Sequence, residues 1–159
     1  MSDDKFGVLF VCTGNICRSP TAEAIFRKLA ADAGMAGAVK ADSAGTHGYH
    51  VGKPPDPRAQ AAAAKRGYDL SALRARRVEV ADFQRFDLVL AMDQDHYAIL
   101  ARLAGASAGD KLKMMMSYAQ RFRERDVPDP YYGGPQEFER VLDLLEDAAG
   151  GLLRSLPKI

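Results

Sequence analysis

The chain has no tryptophan, only two cysteines and only three histidines in 159 residues. Two cysteines cannot supply the disulfide framework of a small secreted fold, and they fit a reducing cytosol. His47, His50 and His96 show no zinc-ligand spacing, so no metal and no other cofactor is expected. A surplus of charge is also missing: 22 Lys and Arg face 21 Asp and Glu, for a net charge of +1. That balance argues against bulk nucleic-acid binding. No apolar run approaches the length that crosses a bilayer, so no membrane partner is expected. Met1-Ser2-Asp3-Asp4-Lys5 is polar and acidic, unlike a secretory signal. It reads as a flexible N-terminus of a cytoplasmic protein, although export by another route would leave no such mark. There is no Walker sequence, internal repeat, linker or low-complexity segment. The length suits a single domain, 1–159, with a real core.

What is present concentrates near the N-terminus. Cys12-Thr13-Gly14-Asn15-Ile16-Cys17-Arg18-Ser19 follows the apolar run Val8-Leu9-Phe10-Val11 and precedes the helical pattern Thr21 to Leu29. A loop between a strand and a helix N-terminus is an anion site, because its N–H groups and the helix dipole both favour negative charge. The amides of Thr13 to Ser19 would bind a phosphoryl group, and the planar fork of Arg18 can grip two of its oxygens. A thiol in such a setting is activated toward its nucleophilic thiolate, which makes Cys12 the candidate nucleophile. Gly14 permits a tight turn, and Asn15 tolerates left-handed angles and can pin the loop. Ser19 can donate to the sulfur. The implied reaction is phosphate-monoester hydrolysis through a phosphocysteine. Cys17 stands close enough in sequence to trap an oxidised Cys12 as a disulfide.

A leaving ester oxygen needs a proton. Asp129, in Asp126-Val127-Pro128-Asp129-Pro130-Tyr131-Tyr132-Gly133-Gly134, is the candidate acid, because Pro130 biases it toward extended backbone. Tyr131 and Tyr132 can wall a substrate ring.

Strand and helix patterns alternate along the rest of the chain. Strands are expected at 7–12, 39–43, 87–92 and 111–115, and helices at 20–33, 57–66, 94–103 and 135–155. This predicts one doubly wound α/β domain, a central four-stranded parallel sheet with helices on both faces. Its ligand belongs at the carboxyl ends of the strands. Arg74, Arg76 and Arg77 read as solvated surface, and Met114-Met115-Met116 as core.

Val8 to Pro20 closely resembles the phosphate-binding loop of the low-molecular-weight protein tyrosine phosphatases, and Asp129-Pro130-Tyr131-Tyr132 resembles their acid loop. Asp42-Ser43-Ala44-Gly45-Thr46, Asp56-Pro57-Arg58 and Ala91-Met92-Asp93 also match, so the resemblance spans nearly the whole chain. It implies Cys12 as nucleophile, Arg18 as phosphate ligand, Asp129 as general acid, and Ser43 as loop support paired with Asn15. It implies pocket walls at Ile16, Tyr49 and Tyr131, and phosphotyrosine proteins or peptides as partners of a monomer or weak dimer. A histidine common in the family is replaced by Leu73. A related branch acting on phosphoarginine has threonine at the position of Ile16, and isoleucine suits a flat aromatic ring better. Thioredoxin-linked arsenate reduction needs further cysteines that are absent. A non-catalytic phosphotyrosine binder would not need the intact triad of nucleophile, arginine and acid.

Overall fold

Four short parallel strands lie in the order β2-β1-β3-β4. They are β1 (Phe6–Cys12), β2 (Val39–Gly45), β3 (Leu88–Ala91) and β4 (Leu112–Met114). The structure is a computed structural model and describes residues 5–156. Residues 1–4 of the expected flexible N-terminus lie outside the described residues. Val8 to Val11 are all fully buried, as expected of a parallel strand covered on both faces. Their side chains alternate between two cores, following the period of two along a strand.

Val8 and Phe10 join the larger core with Ile25 and Phe26 of α1 (Arg18–Asp32), Ala59 and Ala63 of α2 (Pro57–Ala64), and Leu144 and Leu145 of α5 (Pro135–Ser155). Leu9 and Val11 join the smaller core with Phe83 of α3 (Asp82–Arg85) and Leu100 of α4 (Gln94–Ala104). Burial of each large apolar side chain contributes roughly 1.5–3 kcal/mol. The expected architecture is therefore the observed one, with helices on both faces.

The differences from the sequence reading are local. Helix α1 starts at Arg18 rather than residue 20, which brings the arginine onto the first helical turn. Helix α2 stops at Ala64, and a turn ends in Gly67 at φ +88°. Strand β4 stops at Met114, after which Met115–Tyr118 forms a 3-10 turn. The one-turn α3 was not anticipated, since four residues are too few to carry a periodic signal. Arg76 is not a freely solvated charge: it pairs with Asp42 and with the fully buried Asp82.

Helix α5 runs through Gly150 and Gly151 for a steric reason. A Cβ on Gly151 would collide with the backbone carbonyl of Tyr118, so glycine lets the 3-10 turn press against the helix. Gly150 has no such backbone neighbour.

The sheet places three strand ends side by side. Cys12 at the end of β1 is in register with Gly45 of β2, and Val11 with Ala91 of β3. Gly45 is required there, because a Cβ would stand 2.7 Å from the Thr13 carbonyl oxygen.

Candidate active site

The loop from Cys12 to Cys17 is held by its carbonyls. The Cys12 oxygen accepts from the Thr46 N–H, the Thr13 oxygen from His47 and the Ile16 oxygen from Asp56, at 2.8, 3.0 and 2.8 Å. The Cys17 oxygen accepts from the Thr21 hydroxyl at 2.7 Å. By contrast, the N–H groups of Gly14, Asn15, Ile16 and Cys17 donate to no protein acceptor among the described residues. Carbonyls tied to the scaffold and free N–H groups together make an anion cradle. Helix α1 adds its positive end directly behind, with no side-chain cap on Cys17 to use up the terminal donors.

The turn depends on Asn15, whose φ is +60°, the only positive value at a non-glycine among the described residues. Its side chain secures that conformation: Nδ2 donates to Ser19 Oγ at 2.8 Å, and Oδ1 accepts from the Arg76 N–H at 3.0 Å. The expected pairing of Ser43 with Asn15 is not observed. The Ser43 hydroxyl instead donates to Glu23 Oε1 at 2.7 Å. The physical reason is that Glu23 is a buried carboxyl on α1 that needs donors, and Arg27 supplies another. Burial pushes the Glu23 carboxyl up, with Ser43 and Arg27 opposing. The loop support that the sequence reading gave to Ser43 comes instead from the Arg76 backbone.

The buried Cys12 sulfur lies 3.0 Å from Ser19 Oγ and 3.4 Å from the Ser19 N–H. With Asn15 donating to Ser19 Oγ, the serine proton has two acceptors, the sulfur at 3.0 Å and the Ala44 carbonyl at 3.4 Å, of which the sulfur is the nearer. Cys17 is also buried and unbonded. Burial pushes its thiol up, and the charges of Asp56 and Cys12 add to that, so Cys17 stays protonated at neutral pH.

Arg18 is buried and held on one edge. Its Nη1 donates to Asp93 Oδ2 and to the Val127 carbonyl, both at 2.9 Å. Its Nε is buried with no partner, an arrangement that leaves a donor for an incoming anion. Asp93 also caps α4 by accepting the His96 N–H at 2.9 Å. Burial pushes the Asp93 carboxyl up, but the amide and ring of His96 and the Arg18 guanidinium outweigh it, so the net shift is downward.

His96 closes this network. Its Nε2 lies 2.7 Å from Thr13 Oγ1 and 3.5 Å from Arg18 Nη2. Since arginine can only donate, Nε2 accepts and the proton belongs on Nδ1, 3.2 Å from Asp93 Oδ1. Burial and then the Arg18 charge push His96 down to about 4, so the ring is neutral at physiological pH.

Across the opening, Asp129 Oδ2 lies 3.8 Å from Arg18 Nη2. Its carboxylate is half exposed, and Oδ1 accepts the Tyr131 N–H at 3.0 Å. A cavity of about 360 Å³ lies between these groups. Cys12, Thr13, Gly14, Ile16, Cys17, Arg18, Asp129, Tyr49, Tyr131 and Tyr132 all line it. Asn15, Ser19 and Ser43 lie outside that lining. Tyr132 is 93% exposed, so it forms the outermost rim.

Sequence reasoning missed Asp93, His96 and Arg76 as parts of the site. It also missed His50, which lines the cavity and would lie 2.7 Å from a Cβ on Gly14. The match of Ala91-Met92-Asp93 to a strand end was the only available signal for Asp93.

Residues 7–159 match the family model for low molecular weight phosphotyrosine protein phosphatase. The chain is 47% identical over 154 residues to a low molecular weight protein-tyrosine-phosphatase of Streptomyces coelicolor, covering 95% of this chain and 93% of that one. It is 44% identical over 151 residues to the Bacillus subtilis protein YfkJ, of the same description, covering 95% and 96%. Among solved structures, a protein tyrosine phosphatase from Entamoeba histolytica with Hepes in its active site superposes with a TM-score of 0.92. The two are 39% identical, over 94% of this chain and 96% of that one.

Proposed function

The chain belongs to the low molecular weight phosphotyrosine protein phosphatases, and from that premise we propose that it hydrolyses phosphotyrosine and aryl phosphate monoesters through a phosphocysteine on Cys12. The observation that carries this mechanism is the loop itself. The Cys12, Thr13, Ile16 and Cys17 carbonyls are engaged outward, the Gly14 to Cys17 N–H groups meet no protein acceptor among the described residues, and a sulfur and an unpaired guanidinium N–H stand at its two ends.

The phosphate dianion sits on the free N–H groups and on the open edge of Arg18, which hold the charge of the equatorial oxygens. The Cys12 thiolate attacks phosphorus, and the bond to the ester oxygen breaks. Asp129, protonated for this step, gives its proton to the departing phenol. Water then attacks the phosphocysteine, Asp129 takes a proton from it, and the sulfur leaves as thiolate. Donors from Ser19 stabilise that sulfur in both steps. Ile16, Tyr49 and Tyr131 offer apolar and aromatic walls that favour a phenyl ring over a guanidinium. A site complete within one chain supports action as a monomer or weak dimer, and two free buried cysteines support work in the cytosol. No helix among the described residues is long and apolar enough to cross a membrane.

The test is turnover of p-nitrophenyl phosphate and a phosphotyrosine peptide in the presence of chelator. Cys12→Ser abolishes turnover and keeps phosphate binding. Asp129→Ala slows peptide hydrolysis far more than that of p-nitrophenyl phosphate, whose leaving group needs no proton. Full activity in Cys12→Ser ends the proposal.

A further inference from the structure

A second cavity opens at the same end of the sheet. It measures about 820 Å³, larger than the catalytic pocket. Met114, at the carboxyl end of β4, and Met116 contribute to its lining, together with Tyr97 of α4 and Phe122. Arg123 and Arg125 complete the rim and are exposed. Neither guanidinium has a carboxylate within ion-pair distance among the described residues.

Nearby charges are already engaged. Arg121 and Arg140 lie over the Phe122 ring at 5.3 and 4.9 Å, and Arg140 also pairs with Glu124. Asp126 accepts the Gln94 N–H at 3.0 Å. The hollow also carries Gln94, Ser117, Gln120 and the Arg140-paired Glu124, and its apolar floor is bordered by two arginines without an ion-pair partner among the described residues, which complements an apolar side chain next to an acidic one.

One segment links the hollow and the catalytic pocket: Glu124 and Arg125 line the first and Asp129 lines the second. Residues 124–129 run from one to the other, fastened by the Val127 N–H to the Met92 carbonyl and by Arg18 to the Val127 carbonyl. Only β3 separates β1 from β4, and strands are spaced at about 4.8 Å, so the strand ends that carry Cys12 and Met114 lie roughly 10 Å apart. An extended peptide advances about 3.3 Å per residue, so the third residue from a phosphotyrosine reaches the hollow.

We propose that the cavity at the end of β4 is a substrate subsite that takes an apolar residue with an acidic neighbour, about three positions from the phosphotyrosine of a peptide substrate. This rests on the phosphatase reading above. It assigns Arg123 and Arg125 to the choice of peptide and gives them no part in the chemistry.

The experiment compares kcat/KM for matched phosphotyrosine peptides. One set carries a Leu-Glu pair three residues before or after the phosphotyrosine, and the other carries Ala-Ala. p-Nitrophenyl phosphate serves as a substrate with no flanks. The wild type favours one of the Leu-Glu peptides by about tenfold, and the advantage shrinks as salt rises. The double variant Arg123→Ala/Arg125→Ala loses most of that advantage and turns over p-nitrophenyl phosphate as before. Equal kcat/KM for all peptides overturns the inference, as does an advantage that survives the double variant. An equal loss on p-nitrophenyl phosphate also overturns it, because the arginines would then act on the pocket. A dimer in sedimentation that the double variant dissolves would assign the hollow to a second copy instead. Failure of the wild type to hydrolyse p-nitrophenyl phosphate would count against the phosphatase reading itself, a distinct result.

Discussion

Cys12 Sγ and Ser19 Oγ stand 3.0 Å apart, and the serine is turned toward the sulfur by Asn15 at 2.8 Å. A hydrogen bond to a charged group is worth about 1.5–3 kcal/mol. Ser19→Ala therefore lowers kcat by roughly 10- to 100-fold, with the larger effect on breakdown of the phosphocysteine, where sulfur is the leaving group. Rapid-quench measurement of the phosphoenzyme checks this: the variant accumulates it to a higher level than the wild type. An unchanged burst and unchanged kcat would mean that the serine merely packs.

Ser43 gives the opposite expectation. Its hydroxyl serves the buried Glu23 on α1 rather than the loop. Ser43→Ala leaves that carboxyl short of one donor and costs about 1–3 kcal/mol of stability. Aryl phosphate turnover stays within about twofold, a change below 0.5 kcal/mol. Urea unfolding and steady-state kinetics on the same preparation separate the two. A large kcat loss at full stability would restore Ser43 to the support of the loop.

His96 makes stability depend on pH. Its folded-state value near 4 lies below the usual 6.5 of an unfolded histidine. Between those values the unfolded chain binds more protons, so stability rises with pH across about 4 to 6.5 and is complete above that window. The contribution is on the order of 3 kcal/mol, lost progressively on acidification. Arg18, Asp93, Asp95 and Asp129 all act on the ring, and Arg18 is what adds to its burial. His96→Gln keeps an acceptor for Thr13 and removes the titration. Unfolding midpoints measured from about pH 4 to 7 should rise steeply for the wild type and less so for the variant.

The parts of the site that were legible in the sequence are those that local chain order creates. A strand, a tight loop and a helix follow one another from Phe6 to Asp32, so nucleophile, cradle and arginine could be read from one stretch. Asp129 was legible through its proline-flanked loop. Asp93 and His96 were not, because Asp93 caps α4, His96 lies on its first turn, and both reach Arg18 only through the pairing of β1 with β3. Arg76 was read as a surface charge, since nothing local reveals that its amide meets Asn15 or that its guanidinium covers Asp82. Ser43 shows the converse. Its position beside the loop follows from the β1–β2 register, but the direction of its hydroxyl is decided by Glu23, a residue 20 positions away.

Cys17 bears on the response to oxidants. If Cys12 is oxidised to a sulfenic acid, the Cys17 thiolate attacks that sulfur, the S–O bond breaks, hydroxide leaves and takes a proton from solvent to become water, and a disulfide joins the pair. Burial holds the Cys17 thiol well above its ordinary value, so its thiolate is scarce at neutral pH. Disulfide formation after a peroxide pulse is therefore slow, and its rate rises about tenfold per pH unit through the neutral range. Mass spectrometry of alkylated samples quenched at successive times measures this. A pH-independent rate would show that another group takes the Cys17 proton.

The two adjacent glycines of α5 should respond in opposite ways to the same substitution. A methyl on Gly150 meets only the guanidinium of Arg154, at 3.4 Å, and that side chain can swing aside. Alanine is also the better helix former by about 1 kcal/mol. Gly150→Ala thus raises stability by roughly 0.5–1 kcal/mol. A methyl on Gly151 runs into the Tyr118 carbonyl, which belongs to backbone and cannot move without displacing the 3-10 turn that follows β4. Overpacking of this kind costs about 1–3 kcal/mol and outweighs the gain in propensity. Gly151→Ala therefore lowers the unfolding midpoint although it improves the helix as an isolated segment. Thermal unfolding of the two single variants decides the matter, and equal shifts of the same sign would show that α5 does not press on the turn as closely as its glycine allows.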